Sequence, residues 1–450
     1  MTPDELMARL RALPGVTVQE GDAPANYSYY ILHFTQPVDH NDLSKGTFQQ
    51  EVSLLHRNER APFPLIIYTS GYGDETPKSP VELTTLLDAN QVSIEYRFYG
   101  TSVPDPVDWS KLTIEQAAAD EHDIITQLHT IYDGAFLSVG ESKGGIAALT
   151  HRSIYPGDVK GTVMYVTPLS LTAPDERFPP YFDHIGPADC RSAVRNVAIE
   201  MLNRRTRMVA HAQGESEHAY TRVQIGPATE AAIAGLEWGF WQLAGDCNHV
   251  PLTTASDDDL YAFLRGNSPV SEYDDKHLSA YEPYYYQTYT QLGYPDYSVP
   301  YLTGELWYDD DDYTGEFPAT EPAYDSTSVN RVQDWLQDAS NEDKDPVTHK
   351  SVGKHLMFIY GAWDPWFAGR VGTGEAGDTH TYVNWQGSHM TKLATLDAAD
   401  RVQAFSNIQR WSGVEPVLWR LDRQAAPEVH EGEGVHPPGL LIARARAAPR

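Results

Sequence analysis

The chain has 450 residues, and its 63 acidic residues against 33 basic ones give a formal net charge of −30 at pH 7. So acidic a surface repels phosphate backbones and anionic lipid headgroups, which argues against nucleic-acid and membrane-surface partners. Hydrophobic residues make up 41% and charged residues 21%, as in ordinary globular proteins, and no apolar run reaches the roughly 18 residues of a transmembrane helix. The length and composition predict a folded protein of two or three domain-sized units, or of one large domain with an insertion.

The N-terminus and the cysteines bear on the cellular compartment. Residues 1–5 are acidic where a signal peptide would be basic, and no apolar segment follows them. The chain is therefore either cytoplasmic or a form from which an export signal has been removed. The two cysteines, Cys190 and Cys247, would form one disulfide in an exported protein or remain two buried thiols, and the sequence supports both alternatives about equally.

The first 170 residues alternate strand-like and helix-like segments. Predicted strands cover residues 29–34, 48–56, 65–69, 92–98, 135–139 and 161–167. Helical patterns cover residues 112–128, with Thr113 as the N-cap, and begin again in residues 145–151. This alternation is typical of an open, largely parallel sheet with helices on both faces, so we expect the first part of an α/β core in residues 1–170.

The pattern changes in residues 171–345. Helix-like stretches at 190–212 and 229–241 precede residues 256–330, which contain 16 acidic residues, two basic ones and 13 of the 27 tyrosines. So many aromatic residues are untypical of disordered segments. We therefore expect residues 171–345 to form a mostly helical cap, or lid, inserted into the α/β core.

Strand–helix alternation returns in residues 346–423. Predicted strands at 355–360 and 379–385 are followed by a helix at 398–411, so these residues should form the second part of the core. Residues 424–450 mix Pro, Gly, Ala and Arg without periodicity and are predicted to be a loose tail.

A GxSxG pattern lies at residues 140–144, directly after a predicted strand and directly before a predicted helix. A nucleophile elbow needs such a sharp strand-to-helix turn, and small flanking residues allow the backbone to make it. The turn would present Ser142 at the carboxyl edge of the sheet, where the helix dipole favours developing negative charge. We predict that Ser142 is a nucleophile; the competing interpretation is a glycine-rich turn with an incidental serine.

A catalytic triad on this type of fold follows the order serine, acid, histidine along the chain. Asp364 and His389 each come directly after a predicted strand, in that order. We predict that His389 acts as general base and then acid, and that Asp364 orients it and stabilises the imidazolium. Asp before Pro is also common in simple turns, and a loop histidine needs no function. Asp378 and His380 are reserve candidates.

The remaining site predictions concern the oxyanion hole and metals. The backbone N–H of Lys143 should act with a second N–H from the glycine turn after the strand at 65–69, for which Tyr72 is the candidate. The acidic run at residues 309–312 suggests calcium as an alternative, but it lacks the glycine and ligand spacing of a calcium loop. We therefore expect a solvated acidic loop, no metal and no cofactor.

Several motifs resemble those of known peptidases. The motifs at residues 35–40, 95–102 and 112–117 resemble the clan of lysosomal prolyl carboxypeptidase and dipeptidyl peptidase. More specific is the similarity to the secreted, streptomycete-type prolyl tri- and tetrapeptidyl aminopeptidases, which rests on residues 142–145, 240–242, 284–287 and the loops that contain Asp364 and His389. The resemblance extends over about residues 28–411.

The resemblance implies an α/β-hydrolase core with an inserted helical cap. It also implies a secreted serine exopeptidase that forms an acyl-enzyme and releases tri- or tetrapeptides from free N-termini, preferably after Pro. The chain departs from the family at Glu141, where family members usually carry a small residue. A carboxylate there could bind the substrate amine or shift the pH optimum through His389. The missing export signal is a second departure.

An exopeptidase needs a site that is closed on one side and carries a charge complementary to the chain end. The acidic, tyrosine-rich segment 256–330 suits an ammonium group, whereas a carboxypeptidase would need Arg or Lys. Glu237, which lies beside aromatic residues, is the candidate amine anchor, and a solvated helix glutamate is the alternative. Rival functions are a lipase or carboxylesterase on the same fold, a carboxypeptidase-like prolyl exopeptidase, and a peptide-binding protein with a relic triad.

Overall fold

Nine strands form one large sheet in the computed structural model, which describes residues 2–57, 63–74, 78–243, 245–309, 312–313, 323–338, 343–344, 351–374 and 377–423. The strands of this sheet are β1 (Val16–Gly21), β2 (Tyr27–Pro37), β3 (Thr47–Arg57), β4 (Leu65–Thr69), β5 (Asn90–Ile94), β6 (Phe136–Glu141), β7 (Gly161–Tyr165), β10 (Leu356–Gly361) and β11 (Thr379–Asn384). A separate antiparallel pair consists of β8 (Asp343–Lys344) and β9 (Ser351–Gly353).

The spatial order of the large sheet is β1-β2-β3-β5-β4-β6-β7-β10-β11. Every neighbouring pair from β5 to β11 is parallel, and the pairs from β1 to β5 are antiparallel. Strands β4, β5, β7 and β10 are buried along their whole length, which explains the apolar runs of β4 and β10. This topology confirms the predicted α/β-hydrolase core.

The helices are α1 (Pro3–Arg11), α2 (Glu82–Leu87), α3 (Ile114–Leu128), α4 (Lys143–Ile154), α5 (Ala188–Asn203), α6 (Arg205–Glu215), α7 (Ile225–Leu243), α8 (Asp257–Asn267), α9 (Asp275–Gln287), α10 (Thr327–Gln337) and α11 (Ala398–Ser412). Among the described residues, no helix has the length and apolar character that a membrane crossing requires.

Helices cover both faces of the sheet, as its side-chain alternation requires. In β4, Leu65 and Ile67 pack with α1 and α3, whereas Ile66 and Tyr68 face the other way and pack with α2 and α11. Successive side chains of a strand point to opposite faces, so a strand covered on both sides is apolar at every position.

Helices α5–α10 all lie between β7 and β10 in the chain. The apolar side chains of α5–α9 form one cluster with Tyr96, Phe98 and Tyr99, which follow β5, and with Trp366, which follows β10, whereas those of α10 pack with β10. The helical insertion therefore packs against loops at the carboxyl ends of the parallel strands. The boundaries at 171–345 and 346–423 stay predictions, and the predicted tail at 424–450 lies outside the described residues.

Two predicted elements differ from the structure. The helix predicted at 190–212 is two helices, because Arg204 leaves the helical conformation with φ −100° and ψ 20°. Strand β5 ends at Ile94 rather than at residue 98, because the Glu95 carboxylate accepts hydrogen bonds from the backbone N–H groups of Thr101 and Ser102. These bonds turn the chain back on itself directly after the strand.

Cys190 and Cys247 form a disulfide. It connects the first turn of α5 to a short 3₁₀ turn, Cys247–His249, that follows α7. Of the two alternatives left open by the sequence, the structure thus shows the paired form.

Candidate active site

Ser142 lies in a sharp turn between β6 and α4. Its backbone has φ 51° and ψ −121°, a conformation that residues other than glycine rarely adopt. The turn is fixed on both sides, since the N–H of Ser142 donates to the carbonyl of Tyr165 in β7 and its own carbonyl accepts from the N–H groups of Gly145 and Ile146. The surrounding hydrogen bonds therefore hold the serine in a strained position at the end of the strand.

Steric contacts explain the glycines of the GxSxG pattern. A Cβ atom at Gly140 would lie 2.1 Å from the carbonyl oxygen of Gly144, and a Cβ atom at Gly144 would lie 2.2 Å from the carbonyl oxygen of Thr69 in β4. Both distances are far below van der Waals contact. The helix α4 can therefore begin this close to the sheet only if both positions are glycine.

Asp364 and His389 form a hydrogen-bonded pair, with 2.6 Å between Asp364 Oδ2 and His389 Nδ1. Asp364 is fully buried, and its other oxygen accepts the backbone N–H of Trp366 at 3.1 Å. Burial raises the pKa of Asp364 above its ordinary value, and the adjacent imidazole partly offsets this rise. The bond to Nδ1 leaves Nε2 of His389 as the ring nitrogen that could exchange a proton with a nucleophile.

The sheet topology brings these groups to one edge. Ser142 follows β6, Asp364 follows β10 and His389 follows β11, and β6, β7, β10 and β11 are adjacent parallel strands. The two loops also touch each other, because the N–H of Trp363 donates to the carbonyl of Gly387 at 2.8 Å. The carboxyl edge of the sheet thus carries all three residues of the predicted triad.

A small cavity of about 30 Å³ adjoins Ser142. Part of its lining comes from the core, including Tyr72, Lys143 and Trp366, and part comes from α9 and the π-helical turn after it. The residues from the insertion are Tyr284, Thr288, Leu292 and Gly293. The helical insertion therefore forms one wall of the space next to the predicted nucleophile.

The two predicted oxyanion donors differ in their present contacts. Lys143 is the first residue of α4, so its N–H has no acceptor within the helix. The N–H of Tyr72 donates to Ser70 Oγ at 3.0 Å, and that hydroxyl donates to the carbonyl of Gly73. A substrate oxygen would therefore have to compete with Ser70 for the amide of Tyr72.

The side chain of Lys143 has contacts that the sequence did not indicate. It is buried, and its Nζ donates to the carbonyl of Gly71 and lies 3.8 Å from the centre of the Tyr96 ring. Burial lowers the pKa of Lys143 well below the ordinary value. Burial also raises the pKa of the neighbouring Glu121 to about 7. Lys143, the residue after Ser142, is thus bonded through its side chain to the loop that contains Tyr72.

The reserve candidates Asp378 and His380 lie elsewhere. The carbonyl of Asp378 accepts the N–H of Leu356, the first residue of β10, so Asp378 lies at the amino edge of the sheet. Its carboxylate accepts hydrogen bonds from His380, Arg410 and Trp411. Burial raises the pKa of Asp378, but these hydrogen bonds outweigh burial and leave it below the ordinary value.

The two predicted amine-binding glutamates both have basic partners. Glu141 forms an ion pair with Lys392. Glu237 is buried rather than solvated, and both of its carboxylate oxygens accept hydrogen bonds from Arg195 Nε, at 2.9 and 3.0 Å. Burial raises the pKa of Glu237 to about 7 against the opposing effect of Arg195.

Glu237 lines a second, larger cavity, which has a volume of about 330 Å³. Asp183 and Asp296 also line it, together with Arg195 and the aromatic rings of Trp238, Tyr297 and Tyr301. The indole of Trp238 lies 5.1 Å, centre to centre, from that of Trp366, which lines the Ser142 cavity. This contacting pair of tryptophans therefore has one member in the lining of each cavity.

No cluster of three or more potential metal ligands occurs within the described ranges. Of the acidic run at 309–312, Asp310 and Asp311 lie outside those ranges.

Gln242 is a site residue that the sequence analysis quoted but gave no role. Its carbonyl accepts the N–H of His389 at 3.0 Å, and its side chain accepts from two indoles. The motif at 240–242 was a signal for its importance, but its partner His389 is far away in the chain, and only the fold brings them together.

Comparisons with known proteins identify similar peptidases. Residues 3–430 match the family described as PS-10 peptidase S37. A prolyl tri/tetrapeptidyl aminopeptidase from Streptomyces mobaraensis is 35% identical over 435 residues, which cover 94% of this chain and 88% of that protein.

Solved structures show weaker similarities. A proline iminopeptidase from Mycobacterium smegmatis has 13% identity, coverage of 87% of this chain and 99% of that chain, and a TM-score of 0.37. An acetyl xylan esterase from a Thermoanaerobacterium species has 10% identity, coverage of 91% and 92%, and a TM-score of 0.36. The family match over almost the whole chain, with the 35% identical relative, shows that this protein is a serine peptidase of the PS-10 peptidase S37 family.

Proposed function

We propose that this protein is a prolyl aminopeptidase that releases tri- or tetrapeptides from the free N-termini of peptides. The observation that carries the proposal is that the hydrogen-bonded pair of the buried Asp364 and His389 lies at the same sheet edge as Ser142, which is held in a strand-to-helix elbow. The similarity to the Streptomyces mobaraensis enzyme supports the substrate class.

The reaction would begin with Ser142. Nε2 of His389 removes the hydroxyl proton of Ser142 as Oγ attacks the carbonyl carbon of the scissile bond, and Asp364 stabilises the imidazolium through the 2.6 Å bond to Nδ1. The imidazolium then gives its proton to the leaving amine, and the N-terminal peptide remains as an ester on Ser142. Water, deprotonated by His389, attacks this ester, and Ser142 regains its proton when the peptide leaves.

Negative charge on the carbonyl oxygen would be stabilised by backbone N–H groups. Lys143 N–H would be the first donor, because it lies at the start of α4, where the helix dipole would add to the effect. Tyr72 N–H would be the second donor once Ser70 Oγ gives it up. The Nζ bond of Lys143 to Gly71 holds this loop beside the nucleophile.

Recognition of the free amine is assigned to the 330 Å³ cavity. Three carboxylates line it, from Asp183, Glu237 and Asp296, against one guanidinium, from Arg195. That balance favours an ammonium group over a carboxylate and supports an aminopeptidase over a carboxypeptidase. Both glutamates already have a basic partner, and Glu237 is preferred over Glu141 as the anchor because only Glu237 lines this cavity.

We also propose that the protein is secreted, as the resemblance to the streptomycete enzymes implies. The disulfide between Cys190 and Cys247 supports an oxidising compartment, since disulfides are rare in cytosolic proteins.

The test uses a hexapeptide with its single proline at position three, in a free and an N-acetylated form, with products identified by mass spectrometry. We expect release of the tripeptide from the free form only, and no release by the Ser142→Ala variant. Equal cleavage of both forms would contradict amine recognition. Release of residues from the C-terminus would favour the carboxypeptidase, and turnover of p-nitrophenyl esters without peptide cleavage would favour the esterase.

A further inference from the structure

Gln242 connects the helical insertion to the predicted triad. It lies in the last turn of α7 and is buried. Its Oε1 accepts hydrogen bonds from the indole N–H groups of Trp238, at 3.0 Å, and Trp366, at 3.3 Å. Its backbone carbonyl accepts the N–H of His389 at 3.0 Å. One residue of the insertion thus contacts both of the tryptophans that line the cavities and the loop of the predicted catalytic base.

These contacts close into a ring of four hydrogen bonds. From Gln242 Oε1 the ring passes to the indole of Trp366, and from the backbone N–H of Trp366 to Asp364 Oδ1. It continues from Asp364 Oδ2 to the imidazole of His389, and returns from the N–H of His389 to the carbonyl of Gln242. Displacement of any member therefore disturbs the geometry of the Asp364–His389 pair.

The tryptophans held by Gln242 form an aromatic wall. Their indoles meet edge to face at 77°, and Phe178 packs against both, at 5.7 Å from Trp238 and 5.8 Å from Trp366. Trp366 lines the cavity that also contains Ser142. Both indole N–H groups are buried, so the orientation of each ring depends on the shared acceptor.

We propose that Gln242 is a positioning residue that fixes the aromatic wall and His389 relative to each other. The Trp366 face of this wall then binds the prolyl ring of the substrate. The proposal rests on the proposed prolyl peptidase function. A tryptophan face suits proline because the pyrrolidine ring is flat, apolar and without an N–H that would need an acceptor. The ring of hydrogen bonds then couples the binding of proline to the alignment of His389.

A merely structural role for Gln242 would lower stability and slow all substrates equally. The proposed role predicts two further effects. Loss of the Oε1 acceptor should lower kcat, because His389 loses its alignment, and it should reduce the preference for Pro over Ala, because Trp366 loses its orientation.

The test compares Gln242→Met, which removes the acceptor at similar volume, with Gln242→Glu, which retains an acceptor. Gln213→Met, on the exposed face of α6, is the matched control. Substrates are two peptide anilides with Pro or Ala before the scissile bond. We expect Gln242→Met to lose at least tenfold in kcat and at least fivefold in the Pro-to-Ala ratio of kcat/KM, Gln242→Glu to recover most of the ratio, and Gln213→Met to match the wild type.

A fluorophosphonate probe separates this inference from the proposed function, because it labels an activated serine without any peptide recognition. We expect Gln242→Met to be labelled at least tenfold more slowly than the wild type. An unchanged labelling rate would overturn the coupling to His389, whatever peptides the protein cleaves. If the wild type cleaves both anilides and Gln242→Met has the same Pro-to-Ala ratio as the wild type, the role of the aromatic wall in binding proline would be overturned.

Should Gln242→Met fail to fold, Trp366→Phe tests the same ring of hydrogen bonds. It removes the indole N–H and keeps an aromatic face, so the labelling rate and the Pro-to-Ala ratio should fall in the same direction. Wild-type values for both would overturn the proposal.

Discussion

At the scale of single residues, two aspartates in similar sequence settings have different surroundings. Asp364 and Asp378 each lie next to a strand and each accept a hydrogen bond from a histidine. Asp364 is fully buried at the carboxyl edge of the sheet, beside the Ser142 elbow. Asp378 is held at the opposite edge by Arg410 and Trp411. The edge of the sheet, rather than the local pattern, distinguishes the catalytic candidate from the structural one.

We predict that Asp364→Asn lowers kcat by about 10³–10⁴-fold, because the amide no longer holds the imidazole in the reactive tautomer or stabilises its charged form. The measurement is steady-state hydrolysis of a prolyl peptide anilide, with KM determined separately. Asp378→Asn is the matched control and should keep kcat within a few fold. Similar losses in both variants would contradict the assignment of Asp364.

At the scale of elements, Asp378 joins the start of β11 to α11. Arg410 and Trp411 of α11 both donate to its carboxylate, and His355, just before β10, lies 3.3 Å from it. Hydrogen bonds and charges outweigh burial and leave the pKa of Asp378 lower in the folded state than in the unfolded state. Its contribution to stability is therefore complete above the unfolded pKa and is lost as the pH falls through the folded value.

We predict that Asp378→Asn lowers the free energy of unfolding at pH 7 by about 1–3 kcal/mol. The difference from the wild type should shrink as the pH falls below about 4, the ordinary pKa of an aspartate. Urea unfolding followed by circular dichroism at pH 7 and at successively lower pH values measures this. A gap that stays constant or widens on acidification would contradict the linkage.

The same scale shows what a sequence can predict. Strand β4 was predicted to the residue, because a strand buried on both faces is an unbroken apolar run with sharp ends. The end of β5 was wrong, because the turn after it depends on the Glu95 carboxylate rather than on apolar spacing. The break at Arg204 was missed for a related reason, since its side chain is fixed by the carbonyls of Thr253 and Ala255, about fifty residues later.

The residues of the candidate site likewise fall into those that the sequence predicts and those that it does not. Ser142, Asp364 and His389 could be predicted because each directly follows a strand and their order along the chain matches the fold. The ion pair of Glu237 with Arg195, the Nζ contact of Lys143 with Gly71 and the role of Gln242 could not be identified. Each depends on residues that are distant in the chain and approach only in the folded structure.

At the scale of the whole molecule, the helices of the insertion are held together by packing and by the disulfide between Cys190 and Cys247. The disulfide closes a loop with a sequence separation of 57 residues, which contains α6, α7 and nearly all of α5. It fixes the chain five residues after Gln242, close to the end of α7. Both the aromatic wall and the contact with His389 start from this end of α7, so the disulfide supports the side of the insertion that faces the triad.

Removal of this bond should therefore affect stability more than chemistry. We predict that Cys190→Ser/Cys247→Ser lowers the free energy of unfolding by up to about 4 kcal/mol, because the unfolded chain regains the entropy of the open loop. The loss in kcat at 25 °C should stay within a few fold, since no member of the Gln242 ring is a cysteine. Thermal unfolding in the presence and absence of reductant measures the first effect, and peptide mapping of the non-reduced protein should show Cys190 and Cys247 in one linked fragment. Two free thiols in that map would contradict the pairing, and a reductant-insensitive unfolding transition would show that packing alone holds the insertion together.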